Sequence, residues 1–331
     1  MKVRVSPAQP HCFAFGGFEI QMRAALQAAR GAGVDVEPLD PWSTDSRFDV
    51  LHLWGLETAH GLAASWAKRS GKCVVLTALL PYVSWCERVR RAWWSAIGRA
   101  RSLRELLACV ERLVVVNDAQ AQAAASLWDF PLERIAVIPN VVAEQFYGAK
   151  STPGAGDAGG YVLCVGNLCR RKNQLALVQA CLQARVPLLL VGEVLAGEER
   201  YAAAIGRALA QHASARWIGG LPANSQALLD AYLGASAFAL VSERETQPIA
   251  LLEAATLRKP LVIADQPYAR QKFYQKARLV DWRSPRAIAQ GLSDVLSQPC
   301  KYVPDEAALA ECSSRKVGRQ YADAYASALN A

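Results

Sequence analysis

The sequence predicts an α/β protein built as two successive units, each on a mostly parallel sheet. Short apolar runs recur along the chain, separated by longer alanine-rich segments with helical period. The alternation stops at "AKSTPGAGDAGG", residues 149–160, and then restarts. A chain of 331 residues that is 52% hydrophobic can fill more than one core.

In the first half the strand-like runs are "VRV", "DVLHLW", "CVVLT", "RLVVVN" and "IAVIPN". In the second half they are "YVLCVG", "PLLLVG", "ARWIGG", "ASAFALVS" and "PLVIAD". Near-continuous apolar strands of this kind suit sheets covered by helices on both faces. The expected division is 1–150, 151–310 and a closing helix in 311–331, whose sequence includes "SSRKVGRQYADAYASALNA".

Charge and cysteine usage narrow the function classes. With 37 basic against 29 acidic residues, the net charge of +8 favours anionic partners. The nine cysteines lie in strand-like and helix-like runs without close C-x-x-C pairs, as reduced, buried thiols of a cytosolic protein do. The N-terminus lacks the pattern of a secretion signal, and no apolar run approaches the roughly 20 residues that span a bilayer.

In open parallel sheets, chemistry sits on loops at the carboxyl ends of the strands. Four such ends carry glycine or polar clusters: "FAFGGFE", "VGNLCRRKN", "VGEVLAGEE" and "VSERETQP". In the last of these, "ETQPIALLEA" separates Glu245 from Glu253 by seven residues. Proline is tolerated in a first helical turn but not in a helix interior, so Pro248 marks a helix start, with Thr246 or Gln247 as the cap. Glu245 then lies in the loop and Glu253 a turn inside the helix. The free N–H groups and positive dipole end of such a helix suit a phosphate.

The stretch "ASAFALVSERETQPIALLEAATLRKPLVIADQ" resembles the signature of retaining glycosyltransferases of family 4, with the GT-B fold. "FGGFEIQ", "RLVVVNDAQAQAAASLWDFPLERIAVIPNVVAEQFY", "YVLCVGNLCRRKNQLALVQA" and "RWIGGLPANSQALLDAYLGASAFALVS" follow the family's order along most of the chain. The resemblance implies two Rossmann-like domains whose mostly parallel sheets face a central cleft. The first would bind the acceptor and the second the nucleotide sugar, with the last helix returning to the first.

By resemblance, Glu253 binds the ribose hydroxyls and Glu245 faces the transferred sugar, while Thr246, Gln247, Pro248 and Ile249 form the donor loop. Pro248 lacks the amide that a common family glycine offers. Lys172 matches the lysine that neutralises the leaving diphosphate. Gly166 begins that loop, and Asn167 stands where relatives commonly carry arginine, which leaves Arg170 or Arg171 as substitutes. Gly16 and Gly17 match a glycine loop that approaches the diphosphate from the other domain. The loop after "CVVLT" has no histidine where many relatives carry one. The chain has no Asp-x-Asp, and the resemblance implies a nucleotide-sugar co-substrate with neither cofactor nor metal.

"YVSWCERVRRAWWSAIGRARSLRELL" interleaves tryptophan and arginine. Trp85, Arg88, Arg91, Trp93 and Trp94 are read as an acceptor or anionic-membrane contact, with a surface helix as the alternative. No nucleic-acid module is recognisable. The expected function is transfer from a nucleoside diphosphate sugar, UDP-sugar first and GDP-sugar next, to a lipid-linked or surface-polysaccharide acceptor. The alternatives are a nucleotide-sugar 2-epimerase of the same fold and a non-catalytic GT-B partner subunit.

Overall fold

The structure is a computed structural model and describes residues 1–12, 16–80, 98–149 and 160–331. The chain divides into two units, Met1–Val141 with Cys312–Ala331, and Val142–Glu311.

The first unit runs β1 (Lys2–Pro7), α1 (Gly17–Gly31), β2 (Asp35–Pro38), β3 (Val50–Trp54), α2 (Gly61–Arg69), β4 (Cys73–Thr77), α3 (Gly98–Ala108), β5 (Arg112–Val115), α4 (Asp118–Trp128) and β6 (Ile135–Val137). Its six-stranded sheet has the order β2-β1-β3-β4-β5-β6, with every described pairing parallel. The pleat sorts the strands' side chains by period two. Leu51 and Leu53 of β3 join Val74 and Leu76 in the core on one face, and Val50 and Trp54 join Val3, Val5 and Val75 on the other.

The second unit runs α5 (Glu144–Gly148), β7 (Tyr161–Val165), α6 (Gln174–Ala184), β8 (Leu188–Val191), α7 (Glu199–Leu209), β9 (Ala215–Trp217), α8 (Gln226–Leu233), β10 (Ala235–Leu240), α9 (Ile249–Thr256), β11 (Leu261–Ala264), β12 (Arg278–Val280), α10 (Pro285–Ser297) and α11 (Glu306–Leu309). Its sheet has the order β12-β11-β10-β7-β8-β9, again parallel throughout. The chain builds outward from β7 to β9 and then resumes at β10 on the other side of β7. The crevice between β7 and β10 is therefore the sheet's topological switch point, where ligands bind in open α/β sheets.

The last helix, α12 (Ser314–Leu329), packs in the first unit against α1. Gly318 permits this approach, because a Cβ there would lie 2.2 Å from the carbonyl oxygen of Ala28. Tyr321 and Tyr325 of α12 are fully buried beside His52 and Trp54.

Two strands, β2 and β12, were not expected from the sequence. Both are edge strands with one buried residue each, Val36 and Val280, so neither makes an apolar run. The buried-thiol expectation also needs correction: Cys164, Cys169, Cys181 and Cys312 are buried, whereas Cys12 and Cys300 are exposed.

Candidate donor site

The loops that follow β7 and β10 are laced together across the switch point. After β7, a 3-10 turn at Arg170–Lys172 leads through Asn173, at φ 58°, into α6. Asn173 anchors this bend, since its Nδ2 donates to Val241 O at 3.3 Å and Trp282 O at 2.7 Å. The Glu243 N–H donates to Arg171 O at 2.8 Å, and Arg171 Nη1 donates to Arg244 O at 2.7 Å. The two loops are thus tied to each other by hydrogen bonds.

Glu245 lies at the centre of this lacing. Its Oε1 is 2.7 Å from Lys172 Nζ and 2.9 Å from Arg171 Nη1, and its side chain is 9% exposed. Both contacts are ion pairs. Burial pushes the carboxyl upward, but Lys172 and then Arg171 outweigh it and hold Glu245 below the ordinary glutamate value. Gly166 makes room for the lysine: its φ is +146°, and a Cβ there would crowd Lys172 Cε and Nζ at 3.3 Å. The Asn167 carbonyl accepts from Gln174 Nε2 at 2.9 Å.

The two candidate arginines separate. Arg171 reaches Glu245, whereas Arg170 turns to Glu198 at 3.8 Å and lies over the Tyr201 ring.

The helix cap corrects the sequence expectation. Pro248 itself is the N-cap of α9, with φ −69° and ψ 122°, and no side chain caps the helix. Thr246 and Gln247 are drawn instead to Gln271, whose Nε2 donates to Thr246 O at 2.7 Å and whose Oε1 accepts from Gln247 Nε2 at 2.8 Å. Leu251 and Leu252 N–H bond back to Pro248 O. Ile249 and Ala250, at the first two helical positions, precede the first intrahelical donor, which makes this end of α9 attractive to an anion.

Glu253, further into α9, is 8% exposed and accepts from Tyr232 Oη at 2.7 Å. Burial raises its carboxyl to about 7 despite the opposing tyrosine bond. Tyr232 on α8 gave no sequence signal beyond a core position. Gln271 and Asn173 were likewise invisible, because their partners are distant in sequence.

In the first unit, Gly16 is the N-cap of α1 and Gly17 its first residue, at the carboxyl end of β1. The Gly16 N–H donates to Glu19 Oε2 at 2.8 Å, so Glu19 serves its own helix start. His52 is no accessible base: it is fully buried, with Nδ1 2.9 Å from Tyr325 Oη and Nε2 2.8 Å from Thr77 Oγ1, and burial lowers it to about 3. Trp85, Arg88, Arg91, Trp93 and Trp94 lie outside the described residues. Among the described residues, no group of three or more His, Cys, Asp or Glu is arranged to hold a metal ion, and no helix is long and apolar enough to cross a membrane.

The fold is the GT-B fold, and residues 159–298 match the family model described as Glycosyl transferases group 1. The matched residues all lie within the second unit. Among solved structures, the chain is similar to Alr3699/HepE of Anabaena in complex with UDP, at 17% identity and TM-score 0.72, covering 98% of this chain and 99% of that one. It is also similar to sucrose-phosphate synthase of Thermosynechococcus elongatus, at 15% identity and TM-score 0.67, covering 100% and 97%. The apo lipopolysaccharide outer core galactosyltransferase WaaB aligns at 15% identity and TM-score 0.66, covering 98% and 99%. No curated protein sequence matches the chain.

Proposed function

We propose that the protein is a retaining glycosyltransferase of the family 4 type. It moves a sugar from a nucleoside diphosphate sugar, UDP-sugar first and GDP-sugar next, to an acceptor hydroxyl. The observation that carries this reading is Glu245 clamped by Lys172 and Arg171 at the switch point, beside the N-terminus of α9. The HepE structures with UDP and with UDP-glucose favour a uridine donor.

The chemistry follows from charge. When the bond between the sugar's anomeric carbon and the phosphate oxygen breaks, the leaving diphosphate gains negative charge. Lys172, Arg171 and the first amides of α9 are fixed donors for that charge, so they act most strongly in the transition state. Lys172 is then shared between Glu245 and the diphosphate, which leaves the Glu245 carboxylate as an ionised group facing the sugar. Glu253 takes the ribose hydroxyls. The departing phosphate accepts the proton of the incoming acceptor hydroxyl on the same face, which retains the anomeric configuration. With this charge already on the protein, the reading needs no metal.

For the acceptor we infer a lipid-linked or lipopolysaccharide-type glycan, a reading that the likeness to WaaB supports. A cytoplasmic location with peripheral contact to an anionic membrane through Trp85, Arg88, Arg91, Trp93 and Trp94 rests on the sequence alone. The test is incubation with labelled UDP- and GDP-sugars, with and without a lipid-linked glycan extract, on wild type and Glu245→Ala. Acceptor-dependent transfer that vanishes in the variant is expected. Unchanged turnover in the variant overturns the reading, and an altered free sugar formed without acceptor replaces it with epimerisation.

A further inference from the structure

Tyr232 Oη stands between two oxygen atoms, 2.7 Å from Glu253 Oε2 and 3.1 Å from the carbonyl oxygen of Ala250. The phenol cannot turn away from either. Its ring is fully buried, stacked on Phe238 at 5.7 Å and meeting Phe146 edge-on at 5.6 Å. A phenol hydroxyl has one proton and a peptide carbonyl has none. If Glu253 is ionised, that single proton must serve two acceptors. If Glu253 is protonated, a chain from its O–H to Tyr232 Oη, and from Tyr232 O–H to Ala250 O, gives each contact its own proton.

Among the described residues, no ion pair involves Glu253, and the charged groups nearby have other partners or lie on neighbouring elements. Lys259, at the end of α9, donates to Leu233 O and Ala235 O at 2.8 Å each. Arg258 pairs with Glu306 of α11, and Lys272 pairs with Glu311. Tyr274 comes from the 3-10 turn packed on α9, Glu144 from α5 and the Cys164 thiol from β7. The hydrogen bond from Tyr232 goes to Oε2 of Glu253.

Resting on the donor-site reading above, we propose that Glu253 and Tyr232 form a proton switch, with Glu253 protonated in the empty site and ionised once ribose hydroxyls donate to Oε1. The proton leaves to solvent. Tyr232 then turns its O–H from Ala250 to Glu253 Oε2, and Ala250 O keeps the Ala254 N–H as its helical partner. Tyr232 is a positioning residue that acts through Glu253. Hydrogen bonds to a carboxylate are roughly twice as strong as neutral ones, so ribose binding should be about tenfold tighter when Glu253 is ionised. Linkage makes this a proton count: about half a proton is released on binding near pH 6.5, falling toward zero at pH 5 and pH 8.5.

The test is calorimetric titration with UDP and GDP from pH 5.5 to 8.5, in buffers of different ionisation enthalpy, on wild type, Glu253→Gln and Tyr232→Phe. The terminal phosphate of the nucleotide titrates in the same range, so the readout is wild type minus Glu253→Gln. The wild type is expected to release about half a proton more near pH 6.5. Tyr232→Phe should lose most affinity near neutrality and progressively less as the pH rises, because the variant lacks the bond that favours the carboxylate.

Equal proton release by wild type and Glu253→Gln at every pH overturns the switch. A constant loss in Tyr232→Phe across the range reduces Tyr232 to packing. If a variant fails to fold, the wild type alone decides by 13C NMR of the Glu253 carboxyl: saturation with UDP should lower its midpoint by about one pH unit, and an unmoved midpoint refutes the proposal. If neither nucleotide binds the wild type, the donor-site reading fails and takes the switch with it.

Discussion

Glu245 and Glu253 are one residue type in one ten-residue stretch, yet the structure drives them in opposite directions. Both side chains are almost wholly buried. Glu245, in the loop, meets two cations and stays ionised, whereas Glu253, inside α9, meets a phenol and apolar side chains and titrates near 7. Burial alone would have raised both. The difference lies in Lys172 and Arg171, which a single turn brings to the first carboxylate and not to the second. Carboxylates whose environments push them apart mark different roles, and we propose that these are a fixed charge at the reacting end of the donor and a hydrogen-bonding group at its nucleoside end.

The comparison breaks most visibly in turnover. Glu245→Ala and Lys172→Ala should each lower transfer by about 10²–10³-fold, the usual cost of losing a preorganised charge at the reacting group. Steady-state kinetics with a labelled donor measures this, and a loss confined to KM would assign both residues to ground-state binding.

Stability should respond with opposite signs at the two sites. Glu253 has a raised folded value, so its neutral form costs nothing in acid, and stability is lost as the pH rises from about 4.5 through about 7. Glu253→Gln should therefore be more stable than wild type by up to about 3 kcal/mol at pH 8.5, with the gain gone by pH 4. Glu245 has a lowered folded value, so its contribution is present above the unfolded glutamate range and is lost as the pH falls through the folded value. Glu245→Gln should be less stable at pH 7 by about 1–2 kcal/mol, with the difference closing in acid. Thermal melts across pH on both variants check the pair, and shifts of the same sign would mean that the two sites do not differ as described.

The smallest expected effect sharpens the assignment of the clamp. Arg171→Ala should reduce turnover several-fold through Glu245, whereas Arg170→Ala should leave it within about twofold, as expected of an exposed ion pair.

Sequence and structure agree where the signal is local. The alternation of apolar runs with helical segments gave two parallel α/β units, because central strands are buried on both faces and read as continuous hydrophobic stretches. The edge strands β2 and β12 are short and carry no such run, which is why they escaped. At the site, Glu245, Glu253 and Lys172 were legible through their order and spacing in a family pattern. The choice of Arg171 over Arg170 was not, because it depends on which way a 3-10 turn presents two adjacent side chains. Tyr232 and Gln271 were hidden for a related reason: each acts on residues more than 15 positions away, and helical period alone marks Tyr232 only as core. The cap was misplaced because Gln271 draws Thr246 and Gln247 away from α9 and leaves Pro248 to begin the helix.

The most direct test of the central claim is calorimetric titration of wild type and Lys172→Ala with UDP, GDP, ADP and TDP at fixed salt. The account predicts that at least one diphosphate, UDP first, binds the wild type and that the variant weakens it by about tenfold or more. Failure of all four to bind, or equal affinity in the variant, would contradict the assignment of the β7–β10 crevice as the donor site.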